Sequence, residues 1–310
     1  MRIMFMGTPD FAIPSLEALY KAGHEVCCVV TQPDKPKGRG HKMAHPPVYD
    51  CAMAHGTKIY QPESLKKEFF EQILLSEAPE LIAVVAYGKI LPEYVLNYPH
   101  YGCINVHGSL LPKYRGAAPM QWCLINGEKK TGITTMYMEK GLDTGDMLLK
   151  EEIDLTDEDT YETVHDKLNV LGAKLLCETI CCLEKGTVCR EKQDDSLSCY
   201  SPMIDKQTAK INWTKNAVDV NNLVRGLYPF PRAYSYIDGK IIKIEKASPV
   251  ECNSSARPGT VADCDSKSFT VKCGGNTGLR VWKIQMEGKK SMDVESYFLG
   301  NKINIGTELV

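Results

Sequence analysis

Residues 103–112 read Cys-Ile-Asn-Val-His-Gly-Ser-Leu-Leu-Pro, and the chemistry in that stretch belongs to Asn105 and His107. Ile104 and Val106 alternate with them, so a strand here, with its side-chain period of two, puts amide and imidazole on one face together with Cys103. An amide N–H beside an imidazole at a strand end can hold an oxygen on which negative charge develops. A carboxylate from another loop would orient the ring or take a proton, and Asp143, in Gly-Leu-Asp-Thr-Gly-Asp, is the candidate. A lone histidine in a strand is more often a hydrogen-bonded structural residue. Set between Asn105 and Ser109-Leu110-Leu111-Pro112, His107 reads as catalytic, and acyl or formyl transfer is the chemistry that suits the trio.

The elements that must position these groups follow from periodicity. Strand-like runs at 3–6, 26–31, 58–60 and 81–86 alternate with helix-like stretches ending near Gly23 and at 47–55 and 65–76. The 81–86 run is apolar on both faces, as a buried parallel strand is. This βαβα order predicts an α/β fold with a doubly wound, mostly parallel sheet and a ligand crevice outside the carboxyl ends of its strands. Residues 102–107 and 131–138 form the next strands, with Asp143 in the loop that follows, so the three candidates converge on that crevice. A strand at 147–155 and a long helix, capped by Thr156-Asp157-Glu158-Asp159, complete a first domain over 1–187. Residues 188–205 are polar and non-periodic and read as a linker. Over 206–310 the texture changes to a helix at 217–227, a hairpin turning at Asp238-Gly239, and short strands at 259–264, 268–273 and 279–286. That pattern predicts a smaller β-barrel of the OB type.

The chain has 310 residues, 43% of them apolar, enough for two domains with their own cores. Its net charge of −2 hides an asymmetry: from Lys206 onward it carries +6, before it −8. A basic C-terminal third suits a nucleic acid or phosphate-rich partner. The 13 cysteines include no Cys-x-x-Cys pair, which argues against a zinc ribbon or a disulfide framework. His100, Cys103 and His107 lack a fourth ligand nearby, so no metal is expected. The apolar start of the chain is too short for a signal peptide, and no run approaches the roughly 18 residues that cross a bilayer. A cytoplasmic protein without membrane attachment is the expectation.

Two further stretches bear on the partner. Gly7-Thr8-Pro9-Asp10 stands where a dinucleotide-binding protein carries its glycine fingerprint, and Pro9 and Asp10 would crowd or repel a pyrophosphate, which argues against a nicotinamide enzyme. Residues 33–47 form a long loop with Lys35, Lys37, Arg39 and Lys42 against a single acid, Asp34. Cationic side chains on a glycine-hinged loop suit phosphate contacts that form as the loop orders on its ligand.

Asn105-Val106-His107-Gly108-Ser109-Leu110-Leu111-Pro112, Tyr114-Arg115-Gly116-Ala117-Ala118-Pro119 and Gly141-Leu142-Asp143-Thr144-Gly145-Asp146 resemble the 10-formyltetrahydrofolate-dependent formyltransferases. Within that family, three features are similar to the members that act on methionyl-tRNA: Gly7-Thr8-Pro9-Asp10-Phe11, the loop from Thr31 to Gly40, and Ile211-Asn212-Trp213 with the run from Val224 to Tyr234. Phe230 departs from the tryptophan of many members.

The resemblance implies a Rossmann-like formyl-folate domain, a linker, and an OB-like domain that helps bind initiator methionyl-tRNA, in a monomer. Under it, Asn105 and His107 donate to the developing oxyanion, and Asp143 orients or charges His107. Ser109, Leu110, Leu111 and Pro112 contact the folate, as does the backbone of Tyr87, Gly88, Lys89, Ile90 and Leu91. Lys35, Lys37, Arg39 and Lys42 meet the tRNA, with Arg39 foremost. The alternatives are a small acceptor such as an amino-sugar nucleotide or glycinamide ribotide, hydrolysis by water, or a non-catalytic nucleic-acid-binding protein.

Overall fold

In a computed structural model the chain is described over residues 1–37 and 42–310, and its contacts divide it into two compact units. The first comprises Met1–Pro119, Lys130–Asp154 and His165–Ser201. Its sheet has seven strands: β1 (Arg2–Gly7), β2 (Glu25–Val30), β3 (Ile59–Tyr60), β4 (Leu81–Val85), β5 (Cys103–His107), β6 (Lys130–Tyr137) and β7 (Met147–Asp154). They lie in the order β3-β2-β1-β4-β5-β6-β7. The first five run parallel, while β6 and β7 are antiparallel to their neighbours. All five residues of β4 are buried, as the unbroken apolar run anticipates for a strand covered on both faces.

Chain order reverses between β1 and β4, and such a switch point opens a crevice at the carboxyl ends of the strands. There the Thr8 hydroxyl, just past β1, donates to the carbonyl of Tyr87, just past β4, at 3.0 Å. Strand β5 lies next to β4, so its end borders the same crevice. Val106 points away from it: a β-carbon on Gly172 of the helix Tyr161–Glu184 would come within 2.9 Å of Val106 Cγ1. The alternation then turns Asn105 and His107 to the opposite face.

The second unit comprises Met120–Lys129, Leu155–Val164 and Pro202–Val310. It holds an antiparallel sheet of β8 (Ala233–Ile237), β9 (Lys240–Glu251), β10 (Val261–Cys264), β11 (Phe269–Lys272), β12 (Thr277–Met286) and β13 (Met292–Asp293). The order is β8-β9-β12-β11-β10, with β13 on β12. Asp238 and Gly239 have φ of 49° and 73°, the left-handed pair of a type I′ hairpin turn. The chain end closes the ring. Leu309 bridges to Ile237 of β8 and Glu308 to Thr260 beside β10, so both sheet edges are covered and a barrel results. Trp213, Phe269, Val281 and Ile284 lie in its core, joined by Ala217, Val220 and Val224 of the helix Ala217–Gly226.

The sequence reading divided the chain at 187 and 205, and the structure departs from this in two places. Residues 120–129 and 155–164 cluster with the C-terminal unit. A β-carbon on Gly226 would come within 2.9 Å of Ile125, so bare backbone lets the helices Ala217–Gly226 and Pro119–Ile125 pack closely. Arg225 is buried, donating from Nη1 to the carbonyls of Thr156 and Asp159 at 3.2 Å each and from Nε to Asn222 at 2.9 Å. The second departure is the stretch read as a linker, whose residues up to Ser201 belong to the first unit. Among the described residues no helix is long and apolar enough to cross a membrane.

Candidate active site

Asn105 lies between Val84 of β4 and Met136 of β6, and His107 opposite Thr134 of β6. The Asn105 side chain is half-buried and engages no hydrogen-bond partner among the described residues. His107 is buried, and its Nε2 lies 2.9 Å from the carbonyl oxygen of Tyr114. A carbonyl only accepts, so Nε2 carries the proton and donates, and the neutral ring is bare at Nδ1. Nδ1 faces Asp143 Oδ2 at 3.7 Å, too far for a hydrogen bond and close enough for the carboxylate to balance charge on the ring. The Tyr114 carbonyl also accepts from the buried Ser201 hydroxyl at 3.1 Å.

Asp143 is held from several sides. Its Oδ2 accepts from the Gly116 N–H at 2.8 Å, and its backbone has φ +52°, a conformation that a residue with a side chain keeps only when its surroundings enforce it. Gly145 follows because nothing larger fits: a β-carbon there would stand 1.9 Å from the Tyr137 carbonyl. The Gln193 amide donates from Nε2 to the carbonyls of Asp143 and Gly145, both at 2.8 Å, and accepts from Arg115 Nε at 3.0 Å. Beside it, Met147 and Glu191 exchange backbone bonds at 2.8 and 2.9 Å, and Arg190 donates to Asp146 at 2.8 Å. Residues 200–201 pair in parallel with Arg115–Gly116. Sequence reasoning missed this segment, because single polar side chains that bind distant backbone leave no periodic signal.

The other candidates fall into two sets. In the 109–112 turn, the Thr134 hydroxyl donates to Ser109 O at 2.7 Å and accepts from Leu111 N–H at 3.1 Å, while Ser109 Oγ donates to Lys113 O at 2.7 Å. Leu110 lies over Gly132, where a β-carbon would come within 2.6 Å of it, and Leu111 packs with Met136 and Met147. Past β4, Tyr87 and Leu91 are core residues, so what they offer a ligand is backbone. Lys89 donates to the carbonyls of Pro62 and Glu63 at 2.9 and 2.7 Å, and burial holds its ammonium below the ordinary lysine range. Gly88 has open space where a side chain would stand, and Ile90 is exposed.

The stretch 33–47, read as a loop, contains a hairpin of Lys35–Lys37 and Lys42–Ala44. Its register pairs Lys35 with Ala44 and Lys37 with Lys42, so positions 35, 37 and 42 share one face of the ribbon. Lys35 and Lys42 are exposed, and Arg39 lies outside the described residues. Asp34 anchors the base, accepting from Gln61 at 2.8 Å and His45 at 2.9 Å, and these two bonds hold its carboxyl below the usual aspartate range. The Cys103 thiol, beside Val95 and Leu96 carbonyls in the core, is pushed up to about 12 by burial, which makes it inert at neutral pH. Among the described residues, the groups of side chains close enough to share an ion are Glu17-Cys51-His55 and Cys27-Cys28-Glu77, and neither includes His100, Cys103 or His107.

The formyl transferase family model matches residues 1–180, and that of the formyl transferase C-terminal domain matches 203–302. The chain is similar over its full length to the methionyl-tRNA formyltransferase of Caldanaerobacter subterraneus subsp. tengcongensis, with 51% identity covering 100% of both chains. It belongs to the methionyl-tRNA formyltransferase family of formyl transferases. The methionyl-tRNA formyltransferase of Clostridium novyi is 50% identical, again over 100% of both. The fold of this formyl transferase is also similar to the solved N-formyltransferase of Helicobacter canadensis in complex with folinic acid and dTDP-3-aminofucose. That likeness has a TM-score of 0.67 at 18% identity and covers 92% of this chain and 98% of that one.

Proposed function

We propose that this formyl transferase moves the formyl group of 10-formyltetrahydrofolate to the α-amine of methionine on initiator methionyl-tRNA, giving formylmethionyl-tRNA for translation initiation. The observation that carries the chemistry is the His107 ring, tied at Nε2 to a backbone carbonyl and free at Nδ1 beside Asp143. Only Nδ1 can reach a substrate. Protonated there, His107 donates with the Asn105 amide to the formyl oxygen as negative charge develops on it. Asp143 balances the imidazolium, and its carboxylate takes the proton that the amine loses and passes it to the departing N10.

The donor supplies a formyl group activated on N10. The residues past β4 and β5 fit it: Gly88 leaves room for a flat ring, Ile90 offers apolar surface, and exposed backbone beside them offers the hydrogen bonds a pteridine requires. The turn of Ser109, Leu110, Leu111 and Pro112 forms the other wall. For the acceptor, positions 35, 37 and 42 on one face of the hairpin, with Arg39 between its two strands in sequence, suit the backbone of an acceptor stem, and the +6 balance of residues 206–310 suits its continuation. A monomer working in the cytoplasm agrees with a substrate of this size that must reach both regions.

The test is transfer of labelled formyl from 10-formyltetrahydrofolate, with charged initiator tRNA, free methionine and an amino-sugar nucleotide offered in parallel. Label is expected on the tRNA alone. Label on the sugar nucleotide but not on the tRNA would overturn the choice of acceptor and leave the donor chemistry standing.

A further inference from the structure

Gln193 lies in a stretch whose sequence shows only polarity, yet its side chain is buried with only 6% exposed and is bonded at both ends of its amide. The two amide hydrogens go to the carbonyls of Asp143 and Gly145, and Oε1 accepts from Arg115 Nε. Arg115 precedes Gly116, whose N–H holds the Asp143 carboxylate. Arg115 is steadied further by Asp195, 2.8 Å from its Nη2. One amide therefore grips Asp143 from behind, through its own carbonyl, and from in front, through the strand that presents an N–H to its carboxylate.

We propose that Gln193 is the positioning residue of the site, fixing the Asp143 carboxylate against His107 without itself touching substrate. The inference rests on the catalytic reading of Asp143 given above. Two features of the loop require such a clamp. Asp143 sits at φ +52°, a strained conformation that a non-glycine residue keeps only if its surroundings hold it. The Nδ1 to Oδ2 separation of 3.7 Å leaves no direct bond between the two side chains, so the ring does not hold the carboxylate and the backbone beneath must. An extended segment, bonded at Arg190–Asp146 and Glu191–Met147, delivers Gln193 to this point.

Gln193→Met keeps the length and removes all three bonds. Displacing a catalytic group by about 1 Å costs on the order of 10²-fold in rate. The variant is therefore expected to lose about that factor in kcat, with KM for 10-formyltetrahydrofolate and for methionyl-tRNA within about threefold of the parent. The deciding measurement is the same substitution in an Asp143→Ala background. If Gln193 acts through Asp143, kcat of the double variant equals that of Asp143→Ala within about twofold, whereas a general loosening of the fold would lower both alike.

Undiminished kcat in Gln193→Met, or a second full loss in the double variant, overturns the proposal while leaving Asp143 catalytic. Near-normal kcat in Asp143→Ala alone overturns the site reading, and the proposal with it. Should Gln193→Met melt below the assay temperature, Gln193→Glu provides the same comparison. It retains the acceptor for Arg115 and replaces the donors to the two carbonyls by a carboxylate oxygen that repels them.

Discussion

Residues 33–47 and 188–201 look alike as sequence: both are polar, charged and without periodicity. Their structures diverge. The first is anchored at its base by Asp34, while Lys35 and Lys42 project into solvent. In the second, the side chains of Gln193 and Ser201 turn inward to backbone carbonyls near His107 and Asp143. A polar side chain offsets its burial cost only where bonding partners are waiting, and those partners lie on loops far away in sequence. The difference therefore lies in what the rest of the fold offers, and it separates a stretch that holds the proposed catalytic groups from one proposed to meet the substrate.

The largest effect should come from the groups that the 188–201 segment supports. His107→Ala or Asp143→Ala is expected to lower kcat by about 10²–10⁴-fold while KM for 10-formyltetrahydrofolate stays within a few-fold, read from steady-state formylation. Near-normal turnover in either variant would remove the distinction between the two stretches. Gly145→Ala, next in size, puts a β-carbon 1.9 Å from the Tyr137 carbonyl and should cost about 1–3 kcal/mol of stability by overpacking, seen in denaturant melts together with reduced kcat.

In the hairpin the expected changes are of another kind. Lys35→Glu combined with Lys42→Glu should raise KM for methionyl-tRNA and reduce the slope of log affinity against log salt by roughly 0.7–0.9 for each phosphate no longer neutralised, with kcat and thermal stability unchanged. A fall in kcat at saturating tRNA would mean that the hairpin serves the chemistry as well. The smallest effect is local. Because the Asp34 carboxyl is held below its ordinary range by Gln61 and then His45, its anchoring is fully present above that range and is lost as pH falls through the lowered value. Asp34→Ala should accordingly speed hydrogen exchange at 35–37 and 42–44 at neutral pH, with kcat preserved.

Legibility in the sequence followed the kind of signal. Strands β1, β2 and β4 announce themselves as apolar runs closed by turn residues, β5 as an alternation of apolar and polar residues, and Asp238-Gly239 fixes a hairpin because few other pairs accept left-handed backbone. The run around Val224 to Tyr234, which carries part of the family resemblance, is explained by packing: Gly226 permits a close helix contact, and the buried Arg225 gathers carbonyls. Tyr87 and Leu91, whose backbone is the expected ligand contact, have core side chains, because a loop leaving a buried strand must cover its own end.

The sequence by itself determined the alternation that turns Asn105 and His107 to one face, the α/β order that brings strand ends to one edge, and the family. These are matters of local spacing and composition, and a single chain segment contains them. Only the tertiary structure decided that Nε2 of His107 is occupied by Tyr114, that Nδ1 is left facing Asp143, and that Asp143 is gripped through Gln193. Each depends on a hydrogen bond between residues whose separation along the chain says nothing of their distance in space, and such bonds form only once the sheet has brought the loops together.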